Sequence, residues 1–118
     1  MSRFRILALA AGLLLLAPAA FAQLRPGSYA IEGINPDGTT YEGSFELREG
    51  PNGAWIGRWL VGNAQILGLG LIQSGMLALG FSADGRPGVA IYGVEPDGSL
   101  RGSWTSGGGM GTEVLKPN

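Results

Sequence analysis

The sequence predicts an all-β fold, a small eight-stranded antiparallel up-and-down barrel, with a β-sandwich as the alternative arrangement of the same strands. Three observations carry that expectation. Apolar and polar residues alternate with period 2 through most of the chain after residue 22, the pattern of strands with one buried face. Turn-forming clusters cut the same region seven times, which leaves eight strands. Glycine occurs in those turns and also inside strands on their apolar face, where it costs β propensity and so needs a packing reason. No stretch after residue 22 keeps a helical period for three turns.

The first segment is of another kind. Arg3 and Arg5 precede an apolar run from Ile6 to Ala17, and Ala20-Phe21-Ala22 supplies small residues at the cleavage spacing. Residues 1–22 therefore read as a signal peptide cut before Gln23. About 12 apolar residues followed by Pro18 fall short of the roughly 20 that span a bilayer. No cysteine follows to accept a lipid, and Phe4 separates the two arginines, so neither a lipoprotein nor a twin-arginine signal is expected. The expected location is periplasmic or secreted. Setting those 22 of 118 residues aside leaves a single domain over residues 23–118 and moves the formal charge from −1 to −3. A nucleic-acid partner would need the opposite sign. Glycine is abundant, 22 in the chain, against a usual share of roughly 7%. With no cysteine, the domain must hold together through its core alone.

The elements follow in order. Strands one and two flank Asn35-Pro36-Asp37-Gly38, where proline presets φ, aspartate bonds back to the backbone and glycine closes the hairpin. Strand two has the clearest alternation: Tyr41, Gly43, Phe45 and Leu47 on one side, Thr40, Glu42, Ser44, Glu46 and Arg48 on the other. After Glu49 to Gly53, strand three places Trp55, Gly57, Trp59 and Val61 on one face. Gly62-Asn63 leads into the hairpin of strands four and five, Ile66 to Phe81, broken by Gln73-Ser74-Gly75 and apolar on both faces. Ala83-Asp84-Gly85 precedes strand six, and Glu95-Pro96-Asp97-Gly98 links it to strand seven, with Leu100, Gly102 and Trp104 on one face. Ser106 to Gly109 precedes strand eight, Thr112 to Lys116. The spacing averages 12 residues per strand and turn, at the top of the range that suggests a sandwich or barrel. Closing the sheet removes both edges, and eight strands leave an interior that is either filled by side chains or holds one small ligand.

One echo recurs at an offset of 60: Ala30 to Gly38 returns as Ala90 to Gly98, and Gly43-Ser44-Phe45 returns one residue early as Gly102-Ser103-Trp104. A doubled four-strand unit would map strand one onto strand five. The echo maps it onto strand six, so reuse of one hairpin recipe is the expectation.

The run Tyr92-Gly93-Val94-Glu95-Pro96-Asp97-Gly98-Ser99-Leu100-Arg101-Gly102-Ser103-Trp104, with Gly111-Thr112-Glu113-Val114-Leu115, resembles small exported bacterial proteins of unassigned function that carry Y-x-x-x-x-D-G-x-L-x-G-x-W and G-x-E-x-L. Its Gly-x-Leu-x-Gly-x-aromatic strand is also similar to strands of avidin-type barrels. That likeness implies a closed antiparallel barrel. The Ser, Thr, Asn and Trp set through which avidins hold biotin is not matched residue by residue, so biotin binding is not implied.

The chemical inventory argues against an enzyme. There is no His to activate a serine, the single lysine is Lys116 near the C-terminus, and no Ser-x-x-Lys occurs. Glu42 and Glu46 share a polar face expected to be solvated. Gly107-Gly108-Gly109 lacks the following helix that a phosphate cradle requires, and Asp37 and Asp97 sit outside any calcium-loop series. No metal and no cofactor is expected. The candidate barrel lining is Tyr41, Phe45, Trp55, Trp59, Phe81 and Trp104, which would enclose a small apolar ligand if the glycines leave room. Glu113, in phase with Leu115, is expected to turn inward as a buried polar latch partnered by an arginine such as Arg25 or Arg58, with a ligand-binding acid as the alternative. Leu67, Leu69, Leu71, Leu77 and Leu79 are expected to form a surface through which the protein self-associates.

The function these features favour is an exported binding module for a small ligand or a protein partner, assembled as a homo-oligomer. The alternative is a structural or adhesive envelope protein with a filled barrel. An outer-membrane barrel fits less well, because 12 residues per strand and turn is tight for tilted spans of roughly 9–11.

Overall fold

Strands form wherever the alternation runs unbroken between turn clusters. The computed structural model describes residues 23–118, and the expected signal peptide lies outside the described residues. The strands are β1 (Gly27–Ile34), β2 (Thr40–Glu49), β3 (Trp55–Val61), β4 (Ala64–Gln73), β5 (Met76–Ala83), β6 (Arg86–Val94), β7 (Leu100–Thr105) and β8 (Met110–Pro117), with a 3-10 turn at Pro51–Gly53. Each pairs antiparallel with the next, and β8 returns to β1 from Tyr29↔Pro117 to Ile34↔Thr112. The sheet is therefore a closed up-and-down barrel, not a sandwich.

Turn chemistry fixes the registers. Ser74-Gly75 and Asp84-Gly85 both hold positive φ at their two central residues (54° and 76°, 52° and 76°), the type I′ geometry whose twist matches a right-twisted hairpin. In the two Pro-Asp-Gly turns the same bonds recur: Thr39 N–H and Ser99 N–H each donate to the aspartate two residues back, at 3.0 and 2.9 Å.

The two ends of the barrel differ. One carries the turns after β1, β3, β5 and β7, and the other carries the chain termini and the turns after β2, β4 and β6. The second end is closed. Leucine and isoleucine fill it, with Ile31, Leu47, Leu77, Leu79, Leu100 and Leu115 all nearly inaccessible, and Tyr29, Trp55 and the part-buried Leu24 pack with them. The Tyr29 hydroxyl donates to the Arg25 carbonyl and pins the entering chain there.

Two residues of the expected interface belong to this core instead. Leu77 and Leu79 are fully buried, whereas Leu67, Leu69 and Leu71 are 59%, 62% and 52% exposed. The reason is strand parity. Residues two apart share a face, so Leu77 and Leu79 must follow Phe81 inward, and the tight Ser74-Gly75 turn pairs them with the inward positions Ile72 and Gly70 of β4.

Candidate ligand-binding site

At the open end, each hairpin contributes one aromatic ring and one glycine. A side-chain carbon added to Gly33 would strike the Tyr41 ring at 2.0 Å, one on Gly68 the Trp59 ring at 2.7 Å, one on Gly88 the Phe81 ring at 2.3 Å, and one on Gly111 the Trp104 ring at 2.4 Å. Each ring thus lies across the glycine of the strand beside it, one face to the wall and one to the lumen. Gly33, Gly88 and Gly111 are direct cross-strand partners of their rings, whereas Gly68 sits diagonal to Trp59. Rings held flat against the wall leave the axis open, and a cavity of about 610 Å³ opens there. That size lies within the range of small-molecule pockets.

Tyr41, Trp59, Phe81 and Trp104 line this cavity. Phe45 and Trp55, also expected as lining, lie deeper. Phe45 is fully buried over Gly57 and 5.1 Å from the Trp59 ring centroid, and Trp55 packs at the closed end. The in-strand glycines serve two purposes, since at Gly43 and Gly102 an added carbon would strike backbone oxygens of Leu60 and Ile91 instead of a ring. Those are positions where neighbouring strands approach too closely for a side chain.

Glu113 forms the floor of the cavity and is 5% exposed. Its register partners are Gly33 on β1 and Gly102 on β7, which have no side chain of their own, and the Tyr41 ring lies across Gly33 to reach it. Tyr92 Oη donates to Glu113 Oε1 at 2.6 Å, Trp59 Nε1 donates to the same oxygen at 3.0 Å, and Tyr41 Oη donates to Oε2 at 2.6 Å. The expected arginine partner is absent from this arrangement. Arg58 faces outward and pairs with Glu46, and the Arg25 side chain lies by Gly98 at the closed end. A charged hydrogen-bond network of neutral donors replaces the ion pair. Burial pushes the Tyr92 hydroxyl well above its ordinary 10.0, helped by the charge of Glu113. Tyr41 is raised as well, by burial first, then by its hydrogen bond to Glu113 and by the charge of that group. Both hydroxyls therefore remain donors across the physiological range. Trp104 Nε1, buried near the Tyr41 hydroxyl, closes no hydrogen bond among the described residues.

Tyr92 is the aromatic residue of the cavity that the sequence-based lining omitted. Its signal is present, since Ala90, Tyr92 and Val94 share one face, but the strong apolar character of Ile91 on the other face hides it. Asp84, which the sequence shows only as a turn residue, and Arg86, the first residue of β6, are exposed at the mouth.

No family model and no curated protein sequence matches the chain. Among solved structures, a redesigned β-barrel is similar with TM-score 0.63 at 14% identity, covering 79% of this chain and 90% of that one. A de novo designed fluorescence-activating β-barrel is similar with TM-score 0.58 at 18% identity, over 82% and 96% of the two chains. A point mutant of the fluorescent protein UnaG follows with TM-score 0.54 at 10% identity, over 79% and 95%. At these identities the likeness concerns architecture: the chain is a small closed antiparallel barrel of the same kind.

Proposed function

We propose that this is an exported binding protein that holds one small, largely apolar ligand in the open end of its barrel. The observation that carries the reading is the 610 Å³ cavity walled by Tyr41, Trp59, Phe81 and Trp104. A filled barrel would have favoured the structural or adhesive alternative, whereas a cavity between two tryptophans favours a ligand. The similarity to a fluorescence-activating barrel supports it at the level of architecture. Catalysis is no part of the proposal: the chain has no His or Cys, its one lysine pairs with Glu32 on the outer face, and Glu113 already engages three donors.

The proposal extends to assembly. Leu67, Leu69 and Leu71 of β4 form one exposed ridge, and Val89 and Ile91 of β6 form a second. Ala78 and Gly80 of β5 lie between them in register, so the outer face carries a trough with two apolar walls. A twofold-related copy would lay its leucine ridge into that trough, which makes the face self-complementary. The outer faces of β1, β2, β7 and β8 carry Glu32, Glu42, Glu46, Arg101 and Lys116 instead. The exposed large apolar residues are thus concentrated on β4 to β6, with Ile34 on β1 and Met110 on β8 the ones outside that face.

Titration with a neutral environment-sensitive dye such as Nile red tests the ligand site. The dye is expected to gain emission and quench Trp59 and Trp104, and Ala83→Trp, which fills the mouth, is expected to abolish both effects while the fold is retained. Equal dye response in Ala83→Trp would place the dye on the outer face and remove the proposed site.

A further inference from the structure

We propose that the ligand is an organic cation, a protonated amine on an apolar body, and that Glu113 is its anchoring group. The inference rests on the ligand-binding reading above and specifies its chemistry. Three features of the open end point the same way.

The first is an uncompensated charge. The ion pairs among the described residues join Arg58 to Glu46, Arg101 to Glu95 and Lys116 to Glu32, all on the outside, and none reaches Glu113. Donors on both of its oxygens leave Glu113 an acceptor at each, the bonding pattern of a carboxylate. Its three partners are neutral, so its negative charge faces the lumen without a counter-ion. The other charged groups at the cavity, Asp84 and Arg86, are opposite in sign and exposed at the mouth, where solvent screens them. Glu113, buried in low dielectric, sets the sign of the field inside.

The second is spare acceptor capacity. Oε1 takes two hydrogen bonds, whereas Oε2 takes only that of Tyr41. An N–H of the ligand supplies the missing donor. The third is the wall. Four rings lie against their glycines with a face to the lumen, and such faces attract a cation through the ring quadrupole. An anionic ligand meets repulsion from Glu113 and from the same ring faces. A structural latch accounts for the three hydrogen bonds of Glu113 but predicts no preference among ligand charges.

Three probes with one apolar cage and different heads separate these possibilities: adamantylmethylamine, adamantylmethanol and adamantane carboxylate, titrated into the protein and followed by tryptophan fluorescence and calorimetry. The amine is expected to bind at least about tenfold more tightly than the alcohol, with the carboxylate weakest. In Glu113→Gln the amine is expected to fall to the affinity of the alcohol, while the alcohol changes by less than about twofold. Tyr41→Phe, which removes the one protein donor on Oε2, is expected to keep the amine preference, so the proposal stays testable if Glu113→Gln does not fold. Equal binding of amine and alcohol, or tighter binding of the carboxylate, overturns the cation assignment and leaves the cavity reading intact. Failure of all three probes overturns it as well, and the neutral dye then reports separately whether the cavity binds ligands at all.

Discussion

Glu113 and the two tyrosines that donate to it show how a buried charge is held when no cation is near. A carboxylate inside a barrel costs several kcal/mol unless its oxygens are satisfied, and hydrogen bonds to a charged acceptor contribute about 1.5–3 kcal/mol each. Tyr92 is the least replaceable donor, being fully buried with its hydroxyl 2.6 Å from Oε1. Its folded proton is held far more tightly than in the unfolded chain, where tyrosine titrates near 10.0. As pH rises past about 10 the unfolded state releases protons that the native state keeps, so stability is full below that value and falls above it. The urea midpoint is expected to be flat near neutrality and to drop in alkali. Tyr92→Phe is expected to lose about 1–3 kcal/mol at neutral pH and to show a shallower alkaline decline, with Tyr41 and Tyr29 supplying the remainder. An unchanged alkaline slope in Tyr92→Phe would mean that its proton is not linked to folding. The inward direction of Glu113 follows from its phase with Leu115 alone. Its partners do not, because Tyr41 lies 72 residues away along the chain and meets it only through closure of β8 on β1.

The two Pro-Asp-Gly hairpins show what an element inherits from local sequence. Both turns close with the same bonds, Gly38 N–H to Asn35 O and Gly98 N–H to Glu95 O at 2.9 Å each. Their strands nevertheless face opposite ways: Ile31 is buried and its counterpart Ile91 is 44% exposed. The second copy drops one residue after its turn, so Gly102 and Trp104 return to the inward face that Gly43 and Phe45 occupy. Shared turn chemistry with reversed facing is what reuse of a local recipe predicts, and it argues against duplication of a structural unit. Asp37 and Asp97 sit below the ordinary carboxylate value of 3.8 because each accepts bonds from the residue two ahead, Thr39 or Ser99. A depressed folded value stabilises the turns above the unfolded pKa, and that contribution is lost as pH falls through the folded one. Melting temperature is expected to decline below about pH 4, and the double variant Asp37→Asn, Asp97→Asn, which keeps an acceptor oxygen but no titration, is expected to flatten that decline. If the variant tracks the parent through acid, these turns do not set the acid limb.

At the scale of the whole molecule, the division into a packed end and an open end arises from which side chains meet across the axis. Branched aliphatics interdigitate and fill the closed half, while rings seated on neighbouring glycines keep to the wall of the open half. The outer face divides as well, with an apolar trough on β4 to β6 and the charged side chains of Glu32, Glu42, Glu46, Arg101 and Lys116 on β1, β2, β7 and β8. Sedimentation of the protein is expected to show a dimer that Leu69→Lys converts to monomer, with the stability of the monomer changed by no more than about 0.5 kcal/mol. A parent that stays monomeric at all concentrations, or that co-sediments with lipid vesicles, would refute a self-complementary face. Strand parity, turn positions, strand number and the inward placing of Gly43, Gly57 and Gly102 follow from the sequence alone, since period 2 and turn chemistry act over a few residues. Even the burial of Leu77 and Leu79 was implicit there, through their phase with Phe81. The tertiary structure decided which end stays open, that Phe45 and Trp55 lie below the cavity, and that Glu113 is answered by Tyr41, Trp59 and Tyr92 instead of an arginine. Those outcomes depend on contacts between strands far apart in the chain, which exist only once the sheet has closed and which no local pattern encodes.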